Sequence, residues 1–254
     1  MDLGLTGRVA LVCGASSGLG LAVARELAAE GAHIAVCARD LERLTAAARG
    51  LEEAGPGRVL ATALDLRDEP AVRSWVDAVA REMGSIHIVV TNAGGPPGGP
   101  LASLGLPAYR DALELSLLTH VSVVTAALPH VRRAAWGRIL MVASETVRQP
   151  SPRYGLSSVA RLGLLGFAKA LVQEVGAGDI TVNVLAPGYT RTENLVRQLG
   201  EDGLATLAAD TGIPLGRIAR PEEFAAAAAF LASARASFIT GTVQLVDGGK
   251  TAGV

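Results

Sequence analysis

Seven residues near the start of the chain, Gly14-Ala15-Ser16-Ser17-Gly18-Leu19-Gly20, have types and spacing suited to two chemistries. In the first, the glycines make a tight turn that lets backbone approach a phosphate. The helix that follows adds free N–H groups and the positive end of its dipole. In the second, the same stretch contains G-x-S-x-G, the elbow that presents a serine nucleophile, here Ser16. That chemistry needs an acid and then a histidine further along. The histidines are His33, His87, His120 and His130, with none beyond, and no HGGG-type oxyanion loop is present. A phosphate-binding turn is therefore expected, with a serine hydrolase through Ser16 as the remote alternative. Cys13 and Cys37 form no CxxC pair and have no histidine at metal-ligand spacing. They read as reduced interior thiols, and no metal site is expected.

The elements around this turn alternate. Arg8–Cys13, His33–Ala38, Val59–Leu64, Ile86–Thr91, Arg138–Ala143, Ile180–Leu185 and Thr242–Val246 are nearly continuous apolar, β-rich runs. Such runs suit strands buried on both faces of a parallel sheet. Between them Leu19–Ala29, Leu41–Ala54, Ala71–Met83, Ala108–Ala135, Arg153–Val175 and Glu222–Ser233 carry helical periodicity. Repeated β-then-α order predicts right-handed crossovers and a doubly wound α/β fold with a parallel sheet of seven strands. No linker or charge block divides the chain, so a single domain over residues 1–254 is expected. Gly94–Pro107 and Tyr189–Gly216 read as irregular and follow strands, which makes them candidate substrate loops. Leu101, Leu104, Leu106, Leu195 and Leu199 would give those loops an apolar character.

Composition excludes other classes. The chain has 254 residues, 50% of them hydrophobic but only 4% aromatic, so Ala, Val, Leu and Gly must build the core. A formal net charge of −1, without any Lys/Arg run, argues against nucleic acid or an anionic membrane as main partner. No apolar run approaches the ~18 residues of a spanning helix, so no membrane-crossing helix is expected. Met1–Gly7 lacks a cationic stretch followed by an apolar segment, so no signal peptide is read and a cytoplasmic location is expected.

The chain resembles the short-chain dehydrogenase/reductase family over essentially its whole length. The resemblance is carried by Gly14–Gly20 (with Cys13 where a threonine is usual), Asp65-Leu66, Asn92-Ala93-Gly94, Ser144, Pro187-Gly188, Arg217, Pro221-Glu222-Glu223, Thr240-Gly241 and Asp247-Gly248-Gly249. Ile180–Gly188 is most similar to 3-oxoacyl-carrier-protein reductases. The resemblance implies a Rossmann-type fold with a nicotinamide dinucleotide across the strand ends. It implies that Gly14, Ser16, Ser17, Gly18, Leu19 and Gly20 hold the pyrophosphate and that Asp65 and Leu66 meet the adenine. Asn92, Ala93 and Gly94 would line the ribose side, with Pro187, Gly188 and Thr192 at the nicotinamide. It also implies a homotetramer or homodimer joined through the helices Ala108–Ala135 and Arg153–Val175.

Coenzyme choice follows from charge. An acid at the end of the second strand binds ribose hydroxyls and repels a 2′-phosphate, whereas a base attracts it. Here that place reads Ala38-Arg39-Asp40. NADP(H) is favoured, with NAD(H) the alternative and Arg39 as a merely solvated arginine the bland reading.

The family's catalytic pattern is broken. Members use a serine to polarise the substrate carbonyl, a tyrosine as proton donor, a lysine four residues later and an asparagine on a neighbouring helix. Ser144 fits the serine. Thirteen residues on, the tyrosine position is Ser157, and the lysine position is Arg161. The asparagine position falls on Ser116. A serine hydroxyl is a much weaker acid than a phenol of pKa ~10, and arginine stays protonated. Arg161 would anchor the nicotinamide ribose. Tyr154 precedes Ser157 by three and Arg161 by seven, positions that share a face on a helix, so the proton source is read as Ser157 or Tyr154. Two functions from different classes follow. One is an oxidoreductase passing hydride between NADP(H) and a small-molecule carbonyl or alcohol, 3-oxoacyl compounds among the candidates. The other is a nucleotide-binding pseudoenzyme with a regulatory or assembly role.

Overall fold

The computed structural model describes residues 2–253. Met1 and Val254, part of the expected 1–254 domain, lie outside the described residues. Seven strands form one sheet: β1 (Val9–Cys13), β2 (His33–Ala38), β3 (Val59–Ala63), β4 (Ile88–Thr91), β5 (Gly137–Val142), β6 (Ile180–Pro187) and β7 (Val243–Val246). Their order is β3-β2-β1-β4-β5-β6-β7, and every neighbouring pair is parallel. The five residues of β1 and all of β4, β5 and β6 are buried. This explains their unbroken apolar character, because side chains on both faces meet helices.

The helices are α1 (Gly18–Ala29), α2 (Leu41–Glu52), α3 (Glu69–Met83), α4 (Leu106–Leu113), α5 (Thr119–Arg133), α6 (Gly155–Val175), α7 (Glu193–Asp210) and α8 (Pro221–Ala232). One core joins Leu27, Val36 and Leu140 to Phe224 of α8. The other joins Leu11, Val89 and Ile139 to Trp75 of α3, Val123 of α5 and Leu164 of α6. Each fully buried Leu or Ile stabilises by roughly 1.5–3 kcal/mol. Carboxylates cap two of these helices. Asp40 accepts from Arg43 N–H at 3.0 Å and Asp68 from Ala71 N–H at 3.0 Å.

Three expectations change. The stretch Ala108–Ala135 is not one regular helix. A π-helical segment, Glu114–Leu118, separates α4 from α5, and such wide turns have no signature in apolar spacing. The segment Tyr189–Gly216, read as irregular, holds the 18-residue α7. Its only buried side chains are Leu204 and Leu207, and Gly200 breaks its geometry (φ 67°, ψ 177°), so its apolar stripe is too thin to read. Leu101 and Leu104 do not face a substrate cleft. Half-buried, they pack against Ala112, Leu156 and Ala160 in a small third cluster, which takes part of their apolar surface out of water.

Two helical stretches, Leu106–Arg133 and Gly155–Gly178, are long and apolar enough to cross a membrane, each with mean hydropathy 1.4. The expectation of no apolar stretch of that length is thus corrected, because the few polar residues scattered along both helices break the runs without lowering the mean hydropathy far. About half of each is buried against the sheet and neighbouring helices.

Candidate active site

The strand order reverses between β1 and β4, and a cleft of about 1010 Å³ opens beyond the carboxyl ends of the strands there. Gly14, Ser16, Ser17, Gly18 and Leu19 form one wall. Gly14 and Gly18 both have φ +60°, which glycine adopts without strain. A Cβ on Gly20 would lie 2.3 Å from the Gly14 carbonyl oxygen and 2.9 Å from Asn92 Nδ2. Gly20 therefore does not line the cleft but lets the turn close behind it. Asn92 Nδ2 donates to Gly14 O at 3.2 Å and pins the turn to β4. Ser17 caps α1 with no side-chain hydrogen bond, which leaves the first-turn N–H groups facing the cleft. This cradle, with its uncapped donors, fits a dinucleotide pyrophosphate.

Asp65, Leu66, Asn92, Ala93 and Gly94 line the cleft, as do Pro187 and Thr192. Thr192 has a further part, capping α7 by accepting from Leu195 N–H at 3.3 Å. Gly188 is not in the wall. Its Cα lies so near Asp247 that a Cβ would sit 2.7 Å from the aspartate Cβ. Gly188 serves close packing of the β6 and β7 ends. Arg39, at the end of β2, is exposed on the cleft and makes no ion pair among the described residues. Arg43 and Arg67 join it there. Arg43 pairs with Glu193 at 2.5 Å and Arg67 with Asp111 at 2.9 Å.

Ser16 faces this cleft, but no histidine is among the residues that line it. The elbow reading lacks its base.

At the inner end stands Arg161, almost wholly buried. Its Nη1 donates to Ser157 Oγ at 2.6 Å and its Nη2 to Gly94 O at 3.3 Å. Burial pulls its pKa down to about 10, opposed by the charge of Glu145, so it remains a cation at neutral pH. Ser116, in the π-helical segment, donates to the same Gly94 O at 3.3 Å. One turn on, His120 Nδ1 is 2.7 Å from Thr91 Oγ1, while Nε2 is buried without a partner. Burial, helped by Arg161, drops the His120 pKa to about 3.

Ser144 lies just past β5. Its hydroxyl donates to Glu145 Oε2 at 3.1 Å and accepts from Thr146 N–H at 3.3 Å and Thr146 Oγ1 at 3.1 Å. Glu145 is itself buried and pairs through Oε1 with Lys250 Nζ at 3.3 Å. Tyr154 is the N-cap of α6, with non-helical φ −121° and ψ 35°. The helical-face argument for it does not hold, because it precedes the first helical residue. Its ring stands edge-on to Tyr189 at 6.3 Å, and Lys250 Nζ lies 5.4 Å from the Tyr189 ring centroid. Burial and the Tyr154 hydroxyl push the Tyr189 phenol well above its ordinary pKa.

Residues 14–251 match the family model described as enoyl-(acyl carrier protein) reductase. The cis-4-hydroxycyclohexanecarboxylate dehydrogenase of Sinomonas cyclohexanicum is 41% identical over 96% of this chain and 97% of its own length. The L-sorbose reductase of Gluconobacter frateurii, solved with NADPH and L-sorbose, superposes with TM-score 0.93 at 34% identity over the full length of both chains. A short-chain oxidoreductase of Pseudomonas aeruginosa, solved with NADPH and bearing an atypical catalytic center, superposes with TM-score 0.92 at 34% identity over 97% of each chain. The chain belongs to the short-chain dehydrogenase/reductase family.

As a short-chain dehydrogenase/reductase it is an oxidoreductase by type, with the dinucleotide cleft of that family in place. The structure brings Ser157 and Arg161 together beside Gly94, with Ser116 on the same carbonyl. It sets Ser144 with Glu145 and Lys250 instead. Sequence reading missed Glu145, Lys250, Tyr189 and His120. The acid following Ser144 was a visible signal for the first. Lys250 carried none, since its approach depends on the 105-residue separation closed by the fold.

Proposed function

We propose that this short-chain dehydrogenase/reductase binds NADP(H) and interconverts a secondary alcohol and its ketone. The observation that carries this reading is the intact phosphate cradle with unpaired Arg39 at its adenosine end and Arg161 at its inner end. The bound nicotinamide would accept or supply the hydride. Ser16, Ser17, Gly18 and Leu19 would hold the pyrophosphate, Arg39 the 2′-phosphate, and Arg161 the nicotinamide-side ribose. Ser144 would hydrogen-bond the reacting oxygen.

For the substrate we favour an alcohol or ketone carrying a carboxylate, by analogy with the relative acting on a hydroxycyclohexanecarboxylate. Arg153, 5.6 Å from the Tyr154 ring, and Arg197, in the cleft wall, make no ion pair among the described residues and would meet such an anion. The 3-oxoacyl thioesters are the second class. The test is calorimetric binding of NADPH and NADH, then turnover on a panel of cis-4-hydroxycyclohexanecarboxylate, simple cyclic ketones and 3-oxoacyl thioesters. Tight NADPH binding with turnover supports the reading. Binding without turnover on any member supports the pseudoenzyme, which the replaced Ser116, Ser157 and Arg161 favour.

The exposed apolar side chains Leu118, Val159 and Leu162 on the π-helical segment and α6 support a homo-oligomer joined through these helices. Light scattering that reports only monomer would refute it.

A further inference from the structure

We propose that Ser144, Glu145 and Lys250 form a proton relay that carries the substrate proton to solvent, in place of a tyrosine and lysine on α6. This rests on the alcohol–ketone reading above. The geometry is continuous. Ser144 Oγ donates to Glu145 Oε2 at 3.1 Å, and Lys250 Nζ lies 3.3 Å from Glu145 Oε1. The Glu145 side chain is 8% exposed and that of Lys250 21%, so a carboxylate screened from water links the half-buried Ser144 hydroxyl to an ammonium in contact with water. A buried carboxylate is costly unless paired, and this one is paired by a residue from the far end of the chain. A purely structural ion pair would not need the serine hydroxyl as third member.

The alternative donors are placed worse. Ser157 Oγ accepts from Arg161, which has no proton to spare at neutral pH. Tyr154 turns its ring to Tyr189 rather than to Arg161.

In alcohol oxidation the substrate O–H bond breaks and its proton passes to Ser144 Oγ. The Ser144 proton passes at the same time to Glu145 Oε2. The bound oxidised coenzyme would supply the hydride acceptor, taking the carbon-bound hydrogen with both electrons as the C=O bond forms. Lys250 releases one proton to water as it takes the proton from Glu145, so its charge is unchanged and one proton reaches solvent. Ketone reduction is the reverse. The incoming hydroxyl displaces the rotatable Thr146 Oγ1–H from Ser144 and leaves the Thr146 N–H bond to hold the serine. Glu145 is the positioning and relaying group, since only Ser144 touches substrate.

The charged and titratable groups facing Glu145 are Lys250 from the C-terminal segment, Arg161 from α6 and Tyr189 from the segment after β6. Oxidation requires Glu145 ionised, so the rate falls on the acid side. The test is oxidation of cis-4-hydroxycyclohexanecarboxylate with NADP+ across pH, in wild type, Glu145→Gln, Glu145→Asp and Lys250→Met. Glu145→Gln is expected to lose about 10²–10⁴-fold in kcat and the acid limb, with KM and NADPH affinity little changed. Glu145→Asp should recover part of the rate. Lys250→Met should move the acid limb to higher pH. In coenzyme-free protein, carbon-13 NMR of labelled glutamate should show the Glu145 carboxyl titration moved by both Lys250→Met and Ser144→Ala.

Turnover with an unchanged acid limb in Glu145→Gln overturns the relay alone, as does a Glu145 signal that ignores both substitutions. Tight NADPH binding with no turnover on the whole panel overturns the functional reading, and the relay with it.

Discussion

Arg161 Nη1 donates to Ser157 Oγ at 2.6 Å, one turn along the same helix. The spacing that places a cation beside an acidic hydroxyl is kept, while both chemical types differ. The guanidinium also holds the Gly94 carbonyl at the cleft edge, so it acts on coenzyme position as well as on charge. A hydrogen bond to a charged group is worth about 1.5–3 kcal/mol, and 1.4 kcal/mol is about tenfold in affinity. Arg161→Met should therefore weaken NADPH binding at least about tenfold by calorimetry. Ser157→Ala removes an acceptor but no proton path, and should lower kcat less than about tenfold. A Ser157→Ala enzyme that binds NADPH normally yet loses all turnover would make Ser157 the proton source.

Arg39 should decide coenzyme choice. It ends β2 with an unpaired guanidinium, whereas Arg43 and Arg67 each already hold a carboxylate. Arg39→Ala is expected to weaken NADPH about 10–100-fold and leave NADH nearly unchanged, as loss of one bidentate phosphate contact would. The NADPH preference should also shrink with salt, since the site is exposed. Equal losses for both coenzymes would place Arg39 outside the phosphate site.

The contrast between Arg39 and Lys250 shows what a sequence can carry. Arg39 follows an apolar run and precedes a capped helix, so local pattern alone puts it at a strand end. The fully buried strands β1, β4, β5 and β6 are legible for the same reason, since burial on both faces leaves no alternation to misread. The π-helical segment and α7 were not legible, because one is a hydrogen-bond shift and the other buries only Leu204 and Leu207. In the site, Ser144, Ser157 and Arg161 were fixed by spacing along β5 and α6. Glu145 and Lys250 meet only through tertiary closure, which no window of local sequence contains.

His120 should make the fold acid-sensitive. Unfolded, it takes a proton near 6.5. Folded, burial and Arg161 hold it neutral down to about 3. Stability is thus full above pH 6.5 and is lost as pH falls from 6.5 toward 3. The slope is about 1.4 kcal/mol per pH unit. His120→Gln retains a polar group for Thr91 but cannot take the proton. Urea unfolding at pH 6.5 and pH 5 should show wild type losing about 2 kcal/mol more than this variant over that interval. Parallel losses would mean that His120 is protonated in the folded state.

Arg138 should be a purely structural cation. It is fully buried in β5, donating to Ser233 O at 3.1 Å, Gly137 O at 2.8 Å and Asp179 O at 2.9 Å. Its guanidinium and that of Arg8 each lie 4.1 Å from the Trp136 ring centroid. Removing one partner of such a buried network costs about 3–5 kcal/mol, because carbonyls lose their donors away from water. Arg138→Met is expected to show that loss in urea unfolding. Arg138→Lys should fall between, since an ammonium cannot span three carbonyls as the planar fork does. Arg138 enters at the start of β5 and the cleft lies beyond its end, past Val142. The folded fraction of either variant should therefore bind NADPH with wild-type affinity. A change in affinity without a loss of stability would mean that the strand transmits the guanidinium's position to the cleft.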